Sequence, residues 1–158
     1  MSVILSLFDH SGVWSGPYLR AGYDVTRVDL KLGADVLKFN FQAFKRGRRN
    51  VRGVLAAPPC TAFTISGARW WPRMDGDGST REGVRLVKRT LEIIDHLKPS
   101  WWALENPVGR LPKLVPELGE HRLIFHPWHY GDAWTKRTCL WGEFNVDLKR
   151  TEVEPEMY

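Results

Sequence analysis

Residues 53–71 read GVLAAPPCTAFTISGARWW. The run from Gly53 to Ala57 is short, apolar and without alternation, the pattern of a strand buried on both faces. Pro58 and Pro59 close it, fixing φ and removing two backbone donors. Cys60 follows at once. A thiol therefore stands on a stiff loop just past a buried strand.

Working outward, the same alternation of buried runs and helical patterns recurs. Ser2–Phe8 (SVILSLF) is an apolar run followed by a Gly/Ser/Pro loop. Pro17–Ala21 begins a helix that Gly22 stops. Tyr23–Leu30 (YDVTRVDL) reads as a second strand with an acid, Asp29, at its end. The clearest helix is expected over Thr80–Lys98, with Ser79 and Glu82 as a capping box. Val84, Val87, Leu91, Ile94 and Leu97 give that helix one apolar stripe, and Pro99 stops it. Trp101–Leu104 (WWAL) is a further buried strand leading into Glu105, and Leu123–Phe125 and Thr138–Trp141 are late strands.

Strands separated by helices predict an α/β fold: a mostly parallel sheet with helices on both faces. Ligands bind such sheets at the carboxyl ends of the strands. Asp9 or His10, Asp29, Cys60 and Glu105 all fall there.

Composition narrows the class. The chain has 158 residues, 43% hydrophobic and 26% charged, which suits one globular domain. No apolar run approaches the roughly 20 residues of a membrane span, and the opening MSVILSLFDH is too short and polar for a signal peptide, so none is expected. No membrane association and a cytoplasmic location with reduced thiols are expected. Cys60 and Cys139 are the only cysteines, so neither a disulfide scaffold nor a four-ligand zinc site is expected, and no metal. The net charge is +5. Lys38, Lys45, Arg46, Arg48, Arg49 and Arg52 crowd one segment beside Phe39, Phe41 and Phe44. That cluster could track phosphates, or be a solvated segment with anchoring aromatics.

Three groups of residues carry chemistry. Phe8 to Gly12, with Gly16 beyond, makes a loop that lets backbone approach a cofactor, although a tight turn would read the same way. Its spacing is not the G-x-G-x-x-G fingerprint. Cys60 is placed as a nucleophile should be; the bland alternative, a small buried hydrophobe, suits Cys139 inside TCLW. Glu105, leaving an apolar strand before Asn106 and Pro107, is either a desolvated acid of raised pKa or a cap.

In their order and positions, Phe8–Gly12, PPC at 58–60 and ENP at 105–107 resemble the cytosine-C5 DNA methyltransferases. In that family a PC motif carries the nucleophile and an ENV motif the acid. HYGDAWTKRTCLWG at 129–142 looks like the family's late basic motif. The resemblance covers residue 3 to about 145. It departs where F-x-G-x-G becomes F-D-H-S-G, with His10 at the first glycine, and where ENV becomes ENP.

The resemblance implies a Rossmann-like S-adenosylmethionine-dependent methyltransferase fold. Residues 1–158 would form a single truncated catalytic domain without a target-recognition domain. By similarity, Phe8, Asp9, His10, Gly12 and Pro58 would surround S-adenosylmethionine, Asp29 its ribose and Asp35 its adenine amino group. Cys60, Glu105, Asn106 and Arg137 would be catalytic. Pro59, Arg69 and Lys136 would contact substrate, with Trp70 and Trp71 able to stack or merely pack. The implied substrate is DNA or a free cytosine nucleotide such as dCMP or dCTP. A partner subunit or a second copy could supply target recognition. A stripped-down enzyme of this kind would suit a phage. The other reading is a non-catalytic cofactor- or DNA-binding module of a larger assembly.

Overall fold

A computed structural model describes residues 2–47 and 50–156. A six-stranded sheet holds β1 (Val3–Leu7), β2 (Asp24–Val28), β3 (Val51–Ala56), β4 (Trp101–Pro107), β5 (Leu123–Phe125) and β6 (Thr138–Glu143). Their order is β2-β1-β3-β4-β6-β5. The first four strands are mutually parallel, while β6 runs antiparallel to β4 and to β5. Chain order reverses at β1, which has β2 on one side and β3 on the other. That is the topological switch point where sheets of this type open a crevice.

Alternation along the strands sorts the core into two layers. Leu5, Leu7, Val54, Ala56 and Leu104 point to one face. There they meet α2 (Phe41–Gly47), α4 (Ser79–Leu97) and α5 (Leu111–Leu114), through residues such as Phe41, Val87, Ile93, Leu97 and Leu111. Each such fully buried side chain contributes about 1.5–3 kcal/mol by leaving water. Ile4, Leu55 and Ala103 point the other way, under Trp14, Tyr18 and Trp101. On that face the helical cover is α1 (Gly16–Arg20), so aromatic rings supply much of the bulk. The indole of Trp101 lies against Gly53, where an added Cβ would come within 2.2 Å of it. A glycine in the central strand makes room for that ring.

Two local expectations need correcting. Ser79 is the first residue of α4 rather than its cap; Gly78 holds that place. The cap interaction comes from Asp77, whose Oδ1 accepts from the Ser79 amide at 2.9 Å and from its hydroxyl at 2.6 Å. An Asx turn thus satisfies the early amide. The second difference is a short helix, α3 (Trp71–Asp77), preceded by a 3-10 segment at Ile65–Trp70. The two fill the span between Cys60 and α4.

Arg48 and Arg49 of the basic segment lie outside the described residues. Of its other cations, Lys45 donates from Nζ to the His96 carbonyl at 2.7 Å, and Lys38, Arg46 and Arg52 are exposed. Among the described residues no helix is long and apolar enough to cross a membrane.

Candidate functional site

The β1 loop is built around an inward acid. Asp9, 6% exposed, accepts hydrogen bonds from the Ser6 hydroxyl at 2.9 Å, the Ser15 hydroxyl at 2.6 Å, and the amides of Gly12 and Ser15. Burial by itself would raise its pKa. The Ser15, Ser6 and Gly12 donors outweigh that and hold the carboxyl below its ordinary value. Asp9 therefore organises the loop from inside. A carboxyl of lowered pKa contributes stability above its unfolded pKa and loses it as pH falls through the folded value. Asp9→Asn is thus expected to cost about 1–3 kcal/mol at neutral pH. In chemical denaturation from pH 7 to pH 2, the gap from the parent protein should narrow as the solution is acidified.

Phe8 sits at φ 62, a left-handed conformation that costs a non-glycine residue about 1–2 kcal/mol. Its amide is held by the Val28 carbonyl at 2.8 Å. Gly12, at φ 73, lies so close to Arg27 that a Cβ would be 2.8 Å from Nη1. Arg27 also donates to the His10 carbonyl at 2.9 Å, so a strand β2 side chain braces the loop. Sequence reading did not single it out; its signal was a cation between the apolar positions of β2. His10 is exposed on the loop.

Asp29 and Asp35 follow β2 on the same edge. Each uses one oxygen locally, Asp29 for the Lys31 amide at 2.8 Å and Asp35 for the Leu37 amide at 2.9 Å. An ionised carboxylate has about four acceptor sites, so both retain capacity for hydroxyl or amino donors.

Across the switch point stands the Cys60 loop. The Phe63 and Thr64 amides donate to the Cys60 carbonyl at 2.9 and 3.0 Å, making a compact turn that leaves the cysteine half-buried. Pro58 is buried and Pro59 exposed. Asn106 Nδ2 donates to the Pro58 carbonyl at 3.1 Å, and Asn106 is fully buried. Its Oδ1 has no hydrogen-bond partner among the described residues. A cavity of about 580 Å³ opens beside the loop, between Pro59, Thr61 and Ala62 on one wall and Asp77, Glu82 and Leu86 on the other.

Glu105 lies on β4 opposite Leu140 of β6. Its side chain is 25% exposed, and Lys136 Nζ stands 3.8 Å from its Oε1. Burial raises the Glu105 pKa, and the Lys136 charge offsets part of the rise. The arrangement keeps an acid able to hold a proton close to a cation. Arg137 is exposed, and its carbonyl accepts from the Val108 amide at 3.0 Å.

The structure therefore gathers Cys60, Glu105, Asn106 and Lys136 at one strand edge, with Phe8, Gly12, Asp29 and Asp35 along it. Arg69 does not join them through a contact of its own; its guanidinium lies 5.0 Å over the exposed Trp70 ring. Trp71 packs, under Arg110 at 4.4 Å. Cys139 is a buried strand residue whose thiol pKa is pushed up by burial. Among the described residues no group of three or more His, Cys, Asp or Glu could hold a metal ion.

The strand order and this edge define a Rossmann-like methyltransferase fold. Solved structures share it. A prophage-encoded Escherichia coli protein described as a "putative DNA modification methyltransferase" matches at TM-score 0.61 and 18% identity, over 99% of this chain and 51% of that one. Spodoptera frugiperda DNMT2 matches at TM-score 0.51 and 16% identity, over 99% and 55%. The chain thus spans about half the length of each. No protein-family model matches it. In sequence, it is 28% identical over 161 residues to a frog virus 3 (isolate Goorha) protein described as a "Probable DNA (cytosine-5)-methyltransferase", covering 94% of this chain and 73% of that protein. The chain is thus similar in sequence to a described cytosine-5 methyltransferase and in fold to DNA methyltransferases.

Proposed function

We propose that this chain methylates C5 of cytosine in DNA, with Cys60 as a covalent nucleophile and S-adenosylmethionine as the methyl donor. One observation carries the reading: a half-buried cysteine on a pinned loop shares a strand edge with a half-buried glutamate paired to a lysine.

The residues at the switch point suit the donor. Gly12 allows close approach of backbone, and the spare acceptor sites of Asp29 and Asp35 match ribose hydroxyls and an exocyclic amine. Phe8 would flank the adenine, and His10 and Pro58 would border it. When bound, S-adenosylmethionine supplies an electrophilic methyl group.

The chain's own residues make cytosine able to take it. The Cys60 thiolate adds to C6, and the displaced electron pair builds density at C5. Glu105 holds the proton at N3 that this charge requires. Lys136 keeps Glu105 oriented and moderates its proton affinity. Asn106 fixes the Pro58 carbonyl and so the approach of the thiol. Loss of the C5 proton then expels Cys60 and restores the ring. Pro59, Arg69 and Arg137 would contact the polynucleotide, and a base in duplex DNA must leave the stack to reach Cys60.

The test is a methyl-transfer panel with tritiated donor, using duplex DNA, single-stranded DNA, dCMP and dCTP, and mass analysis of the product. Label at cytosine C5 of DNA is expected. Label only in dCMP or dCTP would replace DNA by a free nucleotide as substrate. No transfer to any of the four would remove the enzymatic reading. Steep loss of DNA binding with added salt is also expected, because phosphate contacts release counterions.

A further inference from the structure

The segment that presents Glu105 continues through Asn106 to Arg110, and it grips the Cys60 loop twice. Asn106 holds the carbonyl of Pro58 before the cysteine. Arg110 holds carbonyls after it: its backbone amide donates to Phe63 at 2.9 Å, and its Nε donates to Ala62 at 2.9 Å. Gly109 lets the strands come this close, since a Cβ there would fall 1.9 Å from the Phe63 carbonyl oxygen. An antiparallel bridge between Thr64 and Gly109 completes the seam.

The far side of the Arg110 guanidinium is equally committed. Nη1 and Nη2 form a bidentate pair with Asp75 at 3.1 and 2.8 Å, and Nη2 also donates to the Thr80 hydroxyl at 3.0 Å. Thr80 donates in turn to Asp75 at 2.6 Å. The plane stacks on Trp71, and the side chain is 13% exposed. Asp75 and Trp71 belong to α3, and Thr80 to α4. One planar cation thus joins the nucleophile loop to the α3–α4 elbow that walls the neighbouring cavity. Lysine could supply the charge but not the fork.

We propose that Arg110 is a positioning residue that sets the Cys60 thiol relative to Glu105, by tying the loop after the cysteine to the α3–α4 elbow. This rests on the proposed role of Cys60. It predicts a defect in the chemical step with substrate binding spared. A residue that only held the fold together would lower thermal stability without altering the reactivity of one thiol.

The experiment compares the parent chain with Arg110→Lys and Asp75→Asn. Asp75→Asn retains the Ala62 contact and loosens only the elbow, so it serves if Arg110→Lys does not fold. Two readouts are taken on folded protein: the kcat and KM of methyl transfer to DNA, and the iodoacetamide alkylation rate of Cys60 by peptide mass spectrometry, with buried Cys139 as internal reference. For Arg110→Lys, kcat should fall about 30-fold or more with KM within about threefold, a defect confined to the transition state. Cys60 alkylation should change at least about threefold relative to Cys139, as expected when a loop loses a fixed contact. Asp75→Asn should shift both in the same direction by less. An unchanged Cys60 alkylation rate in the folded variant overturns the proposal. So does a kcat within about threefold of the parent wherever the parent transfers methyl groups. If the parent shows no transfer, the catalytic reading of Cys60 fails on its own, and the alkylation ratio still decides whether Arg110 positions the thiol.

Discussion

Cys60→Ser is expected to fold like the parent and to lower methyl transfer by roughly four orders of magnitude or more, the scale seen when a covalent nucleophile is removed. The fold should survive because the position is held through the main chain: Phe63 and Thr64 amides bind the Cys60 carbonyl, and Asn106 binds that of Pro58. Serine keeps nearly the same shape. It lacks an ionisable thiol, and only the thiolate adds readily to C6. Tritium transfer measures the loss. Incubating both proteins with S-adenosylmethionine and DNA containing 5-fluorocytosine gives a second reading, because after methyl transfer the fluorine at C5 leaves no proton to lose and blocks release of the adduct. The parent should leave a denaturation-resistant protein–DNA band that the variant lacks. Turnover within tenfold of the parent would move the nucleophile elsewhere. Cys139, the other cysteine, is 4% exposed within β6 and poorly placed to take over.

Glu105→Gln is expected to lower kcat by about 10²–10⁴-fold, the range for losing a positioned proton donor, while stabilising the protein near neutral pH. Both effects have one cause. Burial disfavours the charged carboxylate and raises its pKa, and Lys136 compensates in part. A carboxyl whose folded pKa lies above its unfolded one binds its proton more tightly when folded. Stability therefore declines as pH rises from the unfolded value through the folded one, and the deficit persists above it. Glutamine removes that slope. In thermal melts against pH, the difference between variant and parent should open in favour of the variant across this window and then stay constant. A parent curve superimposable on that of Glu105→Gln would show that Glu105 is not strained by burial.

Much of the sheet was legible because apolar runs bounded by glycine, proline or an acid mark buried strands without reference to tertiary contacts. β1, β3 and β4 could be read this way, as could the amphipathic stripe of α4; β2, with Asp24 and Thr26 among its residues, was read from the acid at its end. The direction of β6 could not, since TCLW looks the same whichever way it pairs. Ser79 was misread because S-x-x-E is a local pattern, and Asp77, two residues earlier, competed for the same amide and won. Asp9 was expected beside a ligand, yet the surrounding hydroxyls that draw it inward come from Ser6 and Ser15, one of them inside β1. Arg27 and Arg110 escaped notice for a related reason. Their partners lie 17 and 48 residues away in the chain, and an arginine's reach carries no mark in the sequence until the fold brings its acceptors within range. The cysteine and the glutamate stood out because each ends an apolar strand.

The antiparallel course of β6 makes strand register a setting of acidity. Its first residue, Thr138, pairs with Pro107 at the end of β4, so Lys136 arrives at Glu105 from the loop that precedes the strand. The smallest slip of β6 that keeps each side chain on its own face is two residues. A slip that withdraws Lys136 from β4 would carry it about 7 Å along the strand, out of reach of an acid it now meets at 3.8 Å. The hydrogen-bond ladder between two strands thus acts as a ruler for the proton affinity of one carboxyl. Drift in that direction would raise the proton affinity of the carboxyl, because Lys136 lowers it now.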